Sequence, residues 1–73
     1  MGKRKVVLTN RIKECRVNEA GMTQQQLADH VGVTRQTINA IEANKYSPSL
    51  EVAFLIARAL SCGVEDVFGF VEE

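Results

Sequence analysis

The stretch QQQLADHVGVTRQTINAIE, Gln24 to Glu42, leaves this chain little freedom in how it folds. Leu27 and Val31 lie one helical turn apart, as do Ile38 and Ile41, so two short helices each carry one apolar stripe. Gly32 falls between them, where a left-handed residue ends the first helix, and Thr34 is placed to cap the second. Ala28 is small at the position where the second helix must cross close over the first. Opposite Ile38 and Ile41, the second helix presents Thr34, Arg35, Gln36 and Asn39, side-chain types that hydrogen-bond base edges and phosphates.

A packed inner face and a polar outer face on two helices joined by a tight turn, about residues 24–43, form a helix-turn-helix pattern, and DNA binding is the leading expectation. With 73 residues the chain is expected to be one domain, 1–73, near the lower size limit for unaided folding. The net charge of zero hides a polarity. Residues 1–47 hold eight basic side chains (Lys3, Arg4, Lys5, Arg11, Lys13, Arg16, Arg35, Lys45) against four acids (Glu14, Glu19, Asp29, Glu42). Residues 48–73 hold Arg58 against Glu51, Glu65, Asp66, Glu72 and Glu73, so the half with the motif is the basic one. The apolar run Val6-Val7-Leu8 is too short for a secretory signal, no stretch suits a membrane span, and a cytoplasmic location is expected.

Along the chain, Thr9 is the expected cap of a first helix running to about Asn18, with Leu8, Ile12, Cys15 and Arg16 on one face and a turn from Asn18 to Gly21. Thr23 and Gln26 have capping-box spacing for the second helix. The third helix is expected from Arg35 to about Ala43, and Pro48 bars helix through the loop that follows. Ser49 caps a fourth helix, Leu50 to about Cys62, whose apolar residues nearly surround its axis, predicting a buried central helix. Val64–Val67 makes a short fifth. Phe68 and Phe70 alternate with Gly69 and Val71 as in a strand, and Lys5–Leu8 is the other β-prone piece, so the two ends can pair as a ribbon. The expected class is all-α: five helices, with a short antiparallel β-ribbon from the two termini.

Nothing here suggests an enzyme: no nucleophile stands with a base, and no glycine-rich phosphate loop is present. Cys15 and Cys62 are too few for a disulfide scaffold and are expected as buried free thiols. His30 lacks partners at metal-ligand spacing and reads as a surface residue, so no metal, cofactor or small-molecule ligand is expected. Glu65 and Asp66 fit the first turn of the short fifth helix, where the helix dipole favours acids.

From Asn10 to Phe68 the sequence resembles the Cro/cI-type helix-turn-helix family, also called the XRE family. The resemblance is carried by RIKECR, by MTQQQLADHVGVTRQTINAIEANKYSPSLEVAFLIARAL, and by GVEDVF. TRQTINAIE and NKYSPSL are especially similar to the small stand-alone repressors of that family. The resemblance implies a lambda-repressor-like five-helix domain, often homodimeric, extended in some members by a terminal β-ribbon. It implies that Gln24 meets a phosphate at a helix N-terminus. It places Thr34, Arg35, Gln36 and Asn39 in the major groove and Asn44, Lys45 and Tyr46 on the DNA backbone, and it pairs Arg16 with Glu42. Two departures stand out: the turn Arg16–Gly21 is one residue longer than the family pattern, and Ala40 falls where relatives use a base-reading side chain.

A domain this small covers few base pairs, so the expected partner is double-stranded operator DNA of palindromic form, bound by a homodimer with half-sites about 34 Å apart. Val64, Val67, Phe68, Phe70 and Val71 are the apolar residues left for the dimer surface, rimmed by Glu65, Asp66, Glu72 and Glu73. The competing arrangement folds Phe68 and Phe70 back onto their own bundle. The expected role is transcriptional regulation, as a repressor. The alternative is an antitoxin-type or other protein-interaction module on the same fold, which a co-purifying partner would favour.

Overall fold

Three hydroxyl side chains start three helices by the same device. Thr23, Thr34 and Ser49 each accept a hydrogen bond from the backbone N–H three residues on, at Gln26 (3.0 Å), Thr37 (3.1 Å) and Val52 (3.1 Å). Gln26 returns the favour to the Thr23 N–H at 2.9 Å, completing the expected capping box. The structure, a computed structural model, describes residues 6–72. Within them the order is β1 (Val6–Asn10), α1 (Ile12–Glu14) running on into a π-helical segment (Cys15–Ala20), α2 (Gln24–Val31), α3 (Arg35–Glu42), α4 (Leu50–Ala59), α5 (Val64–Val67) and β2 (Phe68–Glu72). Lys3, Arg4 and Lys5 of the basic N-terminus, and Glu73 of the acidic rim, lie outside the described residues.

The two strands pair antiparallel with Val6 opposite Glu72, Leu8 opposite Phe70 and Asn10 opposite Phe68, forming the expected ribbon. Beneath it Ile12, Leu27, Ala28, Ile38, Ile41, Ile56 and Val67 form the centre of the core, with α2 packed on both α3 and α4. Gly32, at φ 86°, ends α2 in the left-handed conformation that a Cβ would oppose. Among the described residues no helix is long and apolar enough to cross a membrane.

Several expectations need correction. Thr9 does not cap the first helix, because the chain is still extended there and Leu8 lies exposed on the ribbon. The Asn10 carboxamide does the capping instead, accepting from the Ile12 N–H at 3.1 Å. The stretch after Asn18 is not an open turn: helix continues to Ala20 with π winding, which takes up the additional residue, and Gly21 ends it at φ 64° with its N–H on the Arg16 carbonyl. Finally, α4 is not buried all round, nor does it reach Cys62. Leu50, Phe54 and Leu55 are exposed, while Ala53, Ile56 and Ala57 are buried and Val52 and Ala59 pack partly against the core, and Ser61 at φ 58° closes the helix early. Cys62 is therefore half-buried, and only Cys15 is a buried thiol.

Candidate nucleic-acid interface

The inner stripe of α3 settles how that helix is rotated. Ile38 and Ile41 are buried at 0% and 2% exposure, which turns Thr34, Arg35, Gln36 and Asn39 outward, all four exposed. Arg35 and Gln36 make no side-chain hydrogen bond to any described residue, so the guanidinium donors and the carboxamide are free to meet a ligand. Thr34 is only partly so: its hydroxyl is committed to the Thr37 N–H and lies 3.0 Å from the Thr37 hydroxyl. Ala40 is half-buried and adds no polar group to this face.

The helix is held in place by a network that begins with a buried cation. Arg16 donates from Nε to Glu42 Oε2 at 2.9 Å and from Nη2 to Glu42 Oε1 at 3.3 Å, a bidentate pair that the additional residue between Arg16 and Gly21 does not disrupt. Its Nη1 donates to the Met22 carbonyl at 2.9 Å, so the same guanidinium also fixes the approach to α2. Gln24, first residue of α2, donates to Glu42 Oε1 at 3.1 Å and to Asn39 Oδ1 at 3.3 Å. The start of α2 and the middle of α3 are thereby set against each other, with the Asn39 amide hydrogens still free of partners among the described residues.

The loop after α3 is tied from an unexpected direction. Asn10, at the base of the ribbon, donates to the Ile41 carbonyl (3.0 Å), to the Glu42 carbonyl (3.4 Å) and to Asn44 Oδ1 (2.8 Å). It adds a side-chain donor to the Ile41 carbonyl, which also accepts from the Asn44 N–H at 3.0 Å, and it orients Asn44, which sits at φ 59°. Lys45 and Tyr46 follow on the surface, both exposed. Gln24, Gln25 and Arg35 line one shallow depression, and Lys13, Gln24, Asn39 and Ala43 line another beside it. Lys13 and Asn10 were not singled out by sequence. For Lys13 the signal was present, since it lies three residues before Arg16 on one helical turn.

Of the residues expected at a dimer surface, Phe70 and Val71 are exposed on the ribbon, at 62% and 55%, while Phe68 and Val64 are half-buried. Val67 is a correction: at 1% exposure it fills the core beneath α1 and cannot face a partner. Apolar surface lies on α4 instead, where Leu50, Phe54 and Leu55 are exposed and line a single groove with Val64.

The sequence agrees with this geometry. A family model described as helix-turn-helix matches residues 12–67. An HTH-type transcriptional regulator of Archaeoglobus fulgidus is 48% identical over 66 residues, which span 90% of this chain and 92% of that one. The HTH-type regulator YgzD of Bacillus subtilis is 47% identical over 66 residues, 90% of this chain and 98% of its own. A third, from Methanothermobacter thermautotrophicus, is 59% identical over 51 residues, 68% of this chain and 74% of that relative.

Proposed function

Because this chain belongs to the helix-turn-helix family of DNA-binding transcriptional regulators, we propose that it is a cytoplasmic repressor that binds a palindromic operator as a homodimer, with α3 in the major groove. The observation that carries this reading is the pairing of free Arg35 and Gln36 side chains with a helix whose opposite face is buried and whose position is fixed by Arg16, Glu42 and Gln24. A rigid helix loses little on docking, and its outward donors reach base edges without rearrangement.

In this reading Thr34, Arg35, Gln36 and Asn39 read bases. Arg35 can address guanine and Gln36 adenine, each through two hydrogen bonds. Gln24 meets a phosphate at the N-terminus of α2, where the helix dipole favours an anion, and Asn44, Lys45 and Tyr46 meet the backbone from the loop. Lys13 adds a cation beside Gln24 and joins them. These contacts position the protein without carrying sequence information.

The second copy docks through the groove of Leu50, Phe54, Leu55 and Val64, together with Phe70 and Val71 of the ribbon. The exposure of Leu50, Phe54, Leu55, Phe70 and Val71 supports that face, and so does the acidic rim of Glu51, Glu65, Asp66 and Glu72, which DNA would repel. Repression is the sign favoured by a domain that occupies an operator and so excludes other proteins from it. Selection of bound sequences from a random duplex pool tests the whole reading. It should enrich an inverted repeat with half-site centres about one helical turn, roughly 34 Å, apart. Retention of duplexes with no enriched sequence would contradict it.

A further inference from the structure

Two thiols and a carboxylate converge where the π-helical segment passes the end of α4. Cys15 is buried and Glu19 exposed, both on that segment, and Cys62 comes from the turn that follows α4. Their sulfur and oxygen atoms all lie within 4.8 Å of one another. The Cys62 sulfur lies 3.2 Å from Glu19 Oε1 and 3.4 Å from the Leu60 carbonyl, two acceptors within reach of its one proton.

We infer that Cys15, Glu19 and Cys62 form a binding site for one thiophilic divalent cation of the zinc type. Two sulfurs bound to a tetrahedral zinc at about 2.3 Å are roughly 3.8 Å apart, so the three side chains need close by no more than about 1 Å. The donor set suits such an ion: two thiolates select a soft or borderline metal, and the carboxylate completes three protein ligands. The charges balance with the ion replacing two thiol protons, which pass to solvent, and the carboxylate entering as it stands. Glu19 is on the surface and Cys62 half-exposed, so the fourth position opens to water and the ion can exchange.

The position gives the site a consequence. Cys15 precedes Arg16, the residue that holds α3 through Glu42, and Cys62 lines the groove of Phe54, Leu55 and Val64. A bound ion would cross-link the segment that positions the reading helix to the end of the apolar face of α4. The helix-turn-helix function can fail its own test without affecting this site, because the metal readout needs no DNA.

The test uses the full chain, metal-free and kept reduced with a phosphine, titrated with cobalt(II). A thiolate-to-cobalt charge-transfer band should rise together with the visible bands of a tetrahedral site, saturate at one cobalt per chain, and bleach on adding zinc. Cys62→Ser should diminish the charge-transfer band and weaken binding by more than the roughly 10- to 100-fold that changes beyond the ligands themselves can cost. Glu19→Gln, at an exposed position where folding is secure, should keep the band and weaken the affinity. The absence of a charge-transfer band in the wild type, or the same band and affinity in either variant, would overturn the site.

Discussion

Arg16 is the one buried charged side chain among the described residues, and everything around it is arranged for a guanidinium. Two donors meet the Glu42 carboxylate and a third meets the Met22 carbonyl, in a fork that a lysine cannot reproduce. Removing it leaves the half-buried Glu42 with only Gln24 as a side-chain donor. Arg16→Ala should therefore lower the unfolding free energy by about 3–5 kcal/mol, and Arg16→Lys should recover only part of that loss. Urea unfolding of the three proteins checks this, and a loss no larger than the 1 kcal/mol or so of a surface pair would contradict it. The pairing with Glu42 was legible through the family resemblance. Nothing in the local pattern announces it, because the partners lie 26 residues apart. Asn10 was not legible at all: an asparagine before a helix reads as a local cap, and its other partners, 31 to 34 residues away, depend on where α3 ends in space.

The beginnings of α2, α3 and α4 were read well because caps are short-range chemistry. Thr23, Thr34 and Ser49 each bond a backbone N–H three residues away, so their positions follow from a few consecutive residues. The misreadings share a longer-range cause. At the first helix, the added residue between Arg16 and Gly21 was absorbed as π winding instead of an open turn, since that keeps the buried ion pair in register. In α4, the apolar residues do encircle the axis, but a chain of this size has too few neighbouring helices to cover every side. Thr34 carries two roles in this account and Thr23 one. Thr34→Ala and Thr23→Ala should each cost about 1 kcal/mol of stability for the lost cap. Only Thr34→Ala should also weaken operator binding by the folded protein. Equal effects of the two variants on DNA affinity would remove Thr34 from the reading surface.

The described chain is elongated, 38 × 21 × 19 Å, and its polarity matches its shape of action: Lys13, Arg35 and Lys45 accompany the helix-turn-helix, while Glu51, Glu65, Asp66 and Glu72 lie in the C-terminal half. The apolar surface that the proposed dimer would cover also belongs to that half, apart from the β1 strand of the ribbon. Phe54 is 55% exposed and outside the core, so Phe54→Asp should leave the fold intact while shifting the protein from dimer to monomer in sedimentation at micromolar concentration. A monomeric wild type would remove the dimer, and a Phe54→Asp protein that stayed dimeric would move its interface off α4. The outer face of α3 remains the foundation of the whole account, and Arg35 is its most exposed commitment. Binding of wild type and Arg35→Ala should be compared at one fixed salt concentration, on the selected operator and on a scrambled duplex. Arg35→Ala should lose roughly five- to 150-fold on the operator, the equivalent of roughly 1–3 kcal/mol for one bidentate base contact, with a much smaller loss on the scrambled duplex. An Arg35→Ala protein that bound the operator as tightly as wild type would contradict it.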